Sequence, residues 1–280
     1  MAALSRHTGS AHVIGLTGPP GVGKSTTTSA VVTRLRARGH RVGVLAVDPS
    51  SPFSGGALLG DRIRMQEHVL DPEVYIRSMA SRGHLGGLSW TTPQALRVLD
   101  AAGCDVILVE TVGVGQSEVE VAGLADTTVV LLAPGMGDGV QAAKAGILEI
   151  GDVFVVNKAD RDGADATVRD LRQMISLGDR TEPGLWRPPV VKTVASRDEG
   201  VDQLLEAVDT HTDWLTRTGA LRERRVARVA DEIEAIALAA LRARIGSLRH
   251  EEGLGRLAAA VVDGTSDAYA AADRLVASLT

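Results

Sequence analysis

"HVIGLTGPPGVGKSTTT" (residues 12–28) decides the fold. An apolar, strand-like run closes on Gly18, and Gly23-Lys24-Ser25 opens a stretch that reads as a helix from Ser25 to Arg38, with Gly39 as its stop. The spacing is G-x-x-x-x-G-K-[ST], with the strand before it and the helix after it that a phosphate-binding loop needs. Glycines let backbone N–H groups curl round phosphates, and a helix N-terminus adds favourable partial charge. Gly18, Pro20, Gly21, Val22, Gly23, Lys24, Ser25 and Thr26 form the candidate phosphate-binding set. Lys24 is expected to reach the β and γ phosphates, and Ser25 to ligate Mg²⁺. A chance Gly-Lys-Ser would not carry every pattern position and both flanks.

Working outward, apolar runs alternate with helical stretches. Strands are expected at 41–48, 72–79 (a shorter one), 105–110, 127–133, 152–158 and 189–195, with crossover helices at 91–102, 138–149, 163–177 and 200–217. Strands this apolar are covered on both faces, as in a parallel sheet packed between helices. The fold class is therefore α/β, a P-loop NTPase with a mostly parallel sheet flanked by helices, plus a C-terminal helical extension. Residues 1–11 read as a short tail, 12–218 as the nucleotide-binding domain and 219–280 as the extension. In the last, Leu221, Val226, Val229, Ile233, Ile236, Ala240 and Leu241 share one face of a long helix. Helices are also expected at 254–262 and 268–279. The extension either dimerises the protein or packs on its own domain.

Bulk properties narrow the function. The 280 residues are 44% hydrophobic and 23% charged, an ordinary soluble balance, and the seven aromatic residues leave the core to Ala, Val, Leu and Ile. A net charge of −5 argues against nonspecific nucleic-acid binding. The single cysteine, Cys104, excludes an internal disulfide and a Cys-rich zinc site, and it reads as a buried structural thiol. The first residues lack the apolar core of a signal peptide, and no run of ~18 apolar residues suggests a membrane span. A cytoplasmic protein is expected.

Acidic residues at strand ends are the next candidates. Asp48 ends one strand and Glu110 another, and the C-terminal ends of parallel strands converge on the ligand crevice. Both carboxylates are read as facing the magnesium, although Asp48 would also serve as the cap of the turn "DPSS". Gly113, three residues after Glu110, is placed to offer its backbone N–H near the γ-phosphate. "NKAD" (157–160) follows a strand and reads the base. The Asp160 carboxylate accepts from N1–H and the 2-amino group of guanine, a donor pair that adenine lacks. Asn157 positions the loop, Lys158 lies along the ring, and Ala195 and Ser196 complete the pocket. The nucleotide is GTP. Val114 follows Gly113, where Ras-like GTPases carry a water-orienting glutamine. Intrinsic hydrolysis is therefore expected to be slow unless a partner completes the site.

"GLTGPPGVGKSTTT", "VLAVDPSSPFSGGALLGDRIRM", "MASRGHLGGLS", "VILVETVGVGQSEVEVAGLAD" and "NKAD" together resemble the MeaB, ArgK and MMAA family, known also as LAO/AO transport ATPases. The resemblance runs from about residue 12 to the C-terminus. It implies a GTPase that chaperones an adenosylcobalamin-dependent acyl-CoA mutase, chiefly methylmalonyl-CoA mutase. It places Asp48 and Asp61 in a first switch and its magnesium site, with Lys24, Glu110 and Asp61 as the catalytic set. It makes Glu110 to Gly113 the second switch. It assigns 134–144 to a third switch that meets the mutase through Asp138, Gln141 and Lys144; from the residues alone this segment is a flexible loop with Asp138 as a helix N-cap. Relatives often carry a longer helical extension before the first strand, which about a dozen residues precede here.

Three other functions compete. A metallochaperone for metal insertion shares the architecture, but the histidines (7, 12, 40, 68, 84, 211 and 250) form no close ligand pair and read mostly as surface or turn residues. A protein-targeting GTPase would need a Met-rich domain, and only five methionines occur. A transport-linked kinase would use ATP, which "NKAD" opposes.

Overall fold

A computed structural model describes residues 4–49, 65–81, 91–111, 117–135, 147–177, 184–250 and 253–277. Seven strands form one sheet: β1 (His12–Thr17), β2 (Val42–Pro49), β3 (Val74–Ser81), β4 (Val106–Thr111), β5 (Thr127–Leu132), β6 (Val153–Val156) and β7 (Val190–Lys192). Their order is β3-β2-β4-β1-β5-β6-β7, and every pairing is parallel. Among the described residues the helices are α1 (Lys24–Ala37), α2 (Thr91–Ala101), α3 (Ser117–Leu124), α4 (Ile147–Ile150), α5 (Ala164–Leu177), α6 (Val201–Thr218), α7 (Ala220–His250), α8 (Gly253–Val262) and α9 (Ala268–Ala277).

Strand alternation builds the two faces of the sheet. Ile14, Leu16, Leu108, Val129 and Leu131 point to one side, where Val31 and Leu35 of α1 and Leu204, Leu205 and Val208 of α6 cover them. Val13, Leu45, Ile107 and Val109 point to the other, against Leu96 and Leu99 of α2 and Val121 of α3. Farther along, Val130, Leu132, Phe154 and Val156 meet Val168 and Leu171 of α5. Strands β1, β4, β5 and β6 are thus sandwiched, and β1, paired with β4 and β5, delivers the phosphate loop at the middle of the sheet.

The expected elements recur with shifted ends. β3 has eight residues, as many as expected, shifted two positions along the chain and paired with β2 over its whole length. β6 and β7 shrink to four and three residues; past Val156 the chain turns into the loop that carries Asn157 to Asp160. Helix α3 has no counterpart in the sequence reading. It lies so close to β1 that a Cβ on Gly15 would sit 2.5 Å from the Val121 side chain. Of the helix expected at 138–149, only Ile147–Ile150 falls among the described residues. The histidines read mostly as surface or turn residues in the sequence, but two are buried: His68, and His211, whose ring packs against Trp186 and Trp214 and lies 3.4 Å from the Asp152 carboxylate. Cys104 is buried as expected.

The chain forms two compact units, Met1–Arg222 and Glu223–Thr280. In the second, α8 and α9 pack together, and the Asp267 carboxylate accepts the N–H groups of Tyr269 and Ala270 at 2.9 and 3.0 Å, capping α9. The expected apolar face of α7 is exposed at Val226, Val229, Ile233, Ile236 and Leu241. Among the described residues, no helix is long and apolar enough to cross a membrane.

Candidate functional site

The C-terminal ends of β1, β4, β6 and β7 bring the site residues together, as expected for an open parallel sheet. After β1 the chain bends through three left-handed glycines, Gly18 (φ 138°), Gly21 (φ 79°) and Gly23 (φ 96°). Two of them are also steric necessities. A Cβ on Gly18 would collide with the Leu131 carbonyl, and one on Gly23 would lie 2.5 Å from the Asn157 amide nitrogen. Pro20, Gly21 and Thr26 are exposed, whereas Val22, Lys24 and Ser25 are buried. The Lys24 ammonium donates to the carbonyls of Gly18 (2.5 Å) and Pro19 (3.1 Å), across its own loop.

At the end of β4, the buried Glu110 receives two hydroxyls from α1. Ser25 Oγ donates to Oε1 at 2.6 Å and Thr28 Oγ1 to Oε2 at 2.9 Å. This all-oxygen cluster beside the phosphate loop suits Mg²⁺, a hard cation that takes oxygen ligands. Asp48 occupies the end of β2, opposite Ala80 of β3, and its side chain lies outside the described residues. Asp61, Gly113, Asp138, Gln141 and Lys144 also lie outside them.

At the far end of the loop, Asn157 is a hub. Its Nδ2 donates to the Val22 carbonyl at 2.8 Å, and its Oδ1 accepts from Thr193 Oγ1 and the Ala195 N–H, each at 3.1 Å. One side chain thus ties the phosphate loop to the loops after β6 and β7. Lys158, left-handed at φ 57°, adds a second tie from its ammonium to the Gly21 carbonyl at 2.5 Å. Asp160 and Ser196 are exposed beside this hub, where a base edge could meet the carboxylate. Asp160 pairs with Arg197 at 3.3 Å, and Arg34 of α1 steadies the same loop through Asp198 at 2.7 Å. The sequence reading missed Thr28, Thr193 and Arg197. Thr193 follows the strand that leads to Ala195, and Thr28 lies three residues after Ser25, so helical spacing was the available signal.

Residues 1–249 match the family model described as "Methylmalonyl Co-A mutase-associated GTPase MeaB". A Pyrococcus abyssi protein described as a GTPase is 48% identical over 270 residues, which cover 96% of this chain and 83% of the relative. The mouse mitochondrial methylmalonic aciduria type A homolog is 42% identical over 216 residues, 76% of this chain and 52% of that protein. Among solved structures, an LAO/AO transport system kinase superposes with a TM-score of 0.71 at 26% identity, over 99% of this chain and 84% of that one. With its glycine-rich loop between β1 and α1 and its seven-stranded parallel sheet, the chain belongs to the MeaB family and is a P-loop GTPase.

Proposed function

We propose that the protein uses Mg²⁺ and the cycle between GTP and GDP to chaperone an adenosylcobalamin-dependent acyl-CoA mutase, with methylmalonyl-CoA mutase the first candidate. The chaperone would gate cofactor loading and protect or reactivate the mutase. Membership of a family described by its association with that mutase carries this reading. The site supplies the chemistry. Asp160 accepts the N1–H and 2-amino protons of guanine, while Asn157 and Lys158 hold the base loop against the phosphate loop. Lys24 turns from its carbonyl partners to the β and γ phosphates. Ser25 and Glu110 hold the metal, with Asp48 and Asp61 as further ligands, and the bound ion offsets developing phosphate charge. Gly113 offers an N–H to the γ-phosphate, and Asp138, Gln141 and Lys144 carry the contact with the mutase. The exposed apolar face of α7 suits a homodimer.

The runner-up, metal insertion, would call on cysteine or histidine ligands. The one thiol, Cys104, is buried beside Leu99 rather than presented at the surface. Single-turnover GTP hydrolysis with and without the cognate mutase tests the chaperone reading. The mutase should accelerate hydrolysis, and replacing Gln141 and Lys144 by Ala should reduce the accelerated rate more than the basal one. No acceleration by any adenosylcobalamin-dependent acyl-CoA mutase would overturn it.

A further inference from the structure

The geometry points to Thr28 as a positioning residue that aims the metal-facing hydroxyl of Ser25 by holding the Glu110 carboxylate, an inference that rests on the Mg²⁺ reading of Ser25 and Glu110. Ser25 and Thr28 are three residues apart on α1 and so share the helix face that meets the end of β4. A serine hydroxyl has one proton and two lone pairs. To offer a lone pair to a cation, Ser25 must direct its proton elsewhere, and Glu110 Oε1, 2.6 Å away, receives it. The direction of that proton sets the direction of the lone pairs. The orientation of the carboxylate therefore decides where the Ser25 oxygen is aimed.

The terminal torsion of a glutamate has no sharp intrinsic preference, so neighbours must set the carboxylate plane. Thr28 supplies such a neighbour. Its Oγ1 lies 2.9 Å from Glu110 Oε2, and both residues are within 1% of full burial. The same hydroxyl lies 3.0 Å from the Lys24 carbonyl. One proton serves one acceptor well, and the carboxylate is the acceptor that lies on another element. The neighbouring threonines make the contrast. Thr27 donates to the Gly23 carbonyl and Thr33 to the Ser29 carbonyl, the usual local bond of a threonine within a helix. Among the described residues of α1, Thr28 is the threonine whose hydroxyl also reaches a carboxylate on a strand.

Thr28→Val keeps the volume and removes the hydroxyl. Release of a fluorescent GDP analogue, followed against Mg²⁺ concentration, reads the metal directly and needs no hydrolysis. Thr28→Val should raise the half-saturating Mg²⁺ concentration about tenfold, which corresponds to ~1.4 kcal/mol. Thr28→Ser should restore the wild-type value, whereas a role in helix packing alone would leave the metal dependence where it was. If valine disturbs the fold, Thr28→Ala gives the same readout. Ser25→Ala separates the two levels of the argument. If Ser25→Ala abolishes the Mg²⁺ effect and Thr28→Val leaves it unmoved, the role of Thr28 is refuted while the metal site stands. If Ser25→Ala itself leaves the effect intact, the metal reading fails.

Discussion

Replacing Asn157 by Ala removes three hydrogen bonds at one stroke, and the structure says where the cost falls. The Val22 carbonyl, the Thr193 hydroxyl and the Ala195 N–H all lose their partner, in a site where Asn157 itself is 3% exposed. At ~1 kcal/mol for each bond, the nucleotide-free protein should lose ~3 kcal/mol. In a domain of this size ~1 kcal/mol moves the melting temperature by roughly 2–4 °C, so a drop of roughly 6–12 °C is expected. Asn157→Asp makes a sharper test. It keeps an acceptor for Thr193 and Ala195 but sets a carboxylate oxygen against the Val22 carbonyl, where a donor stood at 2.8 Å. That variant should lose the tie to the phosphate loop and keep the tie between the loops after β6 and β7. Differential scanning calorimetry without nucleotide measures the first effect, and GDP release rates measure the second. An Asn157→Ala protein that melts within ~2 °C of wild type would refute the claim that this side chain holds the loops together.

Three further outcomes follow from named residues. Asp160→Asn should weaken GTP binding and favour xanthine nucleotides, by up to ~10⁴-fold for a mismatched hydrogen-bonding edge, and competition binding measures the ratio. Burial pushes the Cys104 thiol above its ordinary value, so the folded chain keeps that proton to higher pH than the unfolded chain does. The associated stability is complete below the unfolded thiol's pKa and is lost as pH rises through the folded one; melting temperatures between pH 7 and 10 should therefore fall more for wild type than for Cys104→Ala. Ile233→Glu, placed on the exposed apolar face of α7, should convert a homodimer to monomers in sedimentation velocity; an unchanged mass would remove α7 from the interface.

Sequence carried the sheet and the glycine-rich turn between β1 and α1, because each rests on local rules. Strand burial is written as apolar runs, and the phosphate loop as glycines at fixed offsets from a lysine. Helix α3 was not legible, because its seat is a glycine on another strand, Gly15, a hundred residues away. His211 escaped for a related reason. Besides Trp214 on its own helix, it packs against Trp186 and Asp152, which come from elsewhere in the chain. The role of Asn157 as a hub was only half legible. The motif shows that the residue belongs to the base loop, but the partners Val22 and Thr193 lie 135 and 36 positions away in the chain. The pairing of Thr28 with Glu110 spans 82 positions and follows no motif.

The arrangement divides the labour of a nucleotide switch. Asn157 and Lys158 both bond to carbonyls of the phosphate loop, so the base end and the phosphate cradle form one hydrogen-bonded body. In the proposed placement that body meets the parts common to GTP and GDP, and Lys24 adds a contact to the γ-phosphate. Apart from Lys24, its groups set affinity and choice of base and do not by themselves tell the two nucleotides apart. The difference between them is the γ-phosphate and the charge it carries. Besides Lys24, the groups proposed to sense it leave the ends of β2 and β4, where Asp48 and Glu110 stand, and Glu110 is already tied to α1 through Ser25 and Thr28. In this reading a partner that prefers one nucleotide state draws that preference from Lys24 and from the β2 and β4 side of the site. By linkage, whatever factor separates its affinity for the two states must reappear as the factor by which it changes the relative affinity for GTP and GDP. Changes at Asn157 or Asp160 should weaken both nucleotides together and leave that factor standing, whereas changes at Glu110 should move the factor itself.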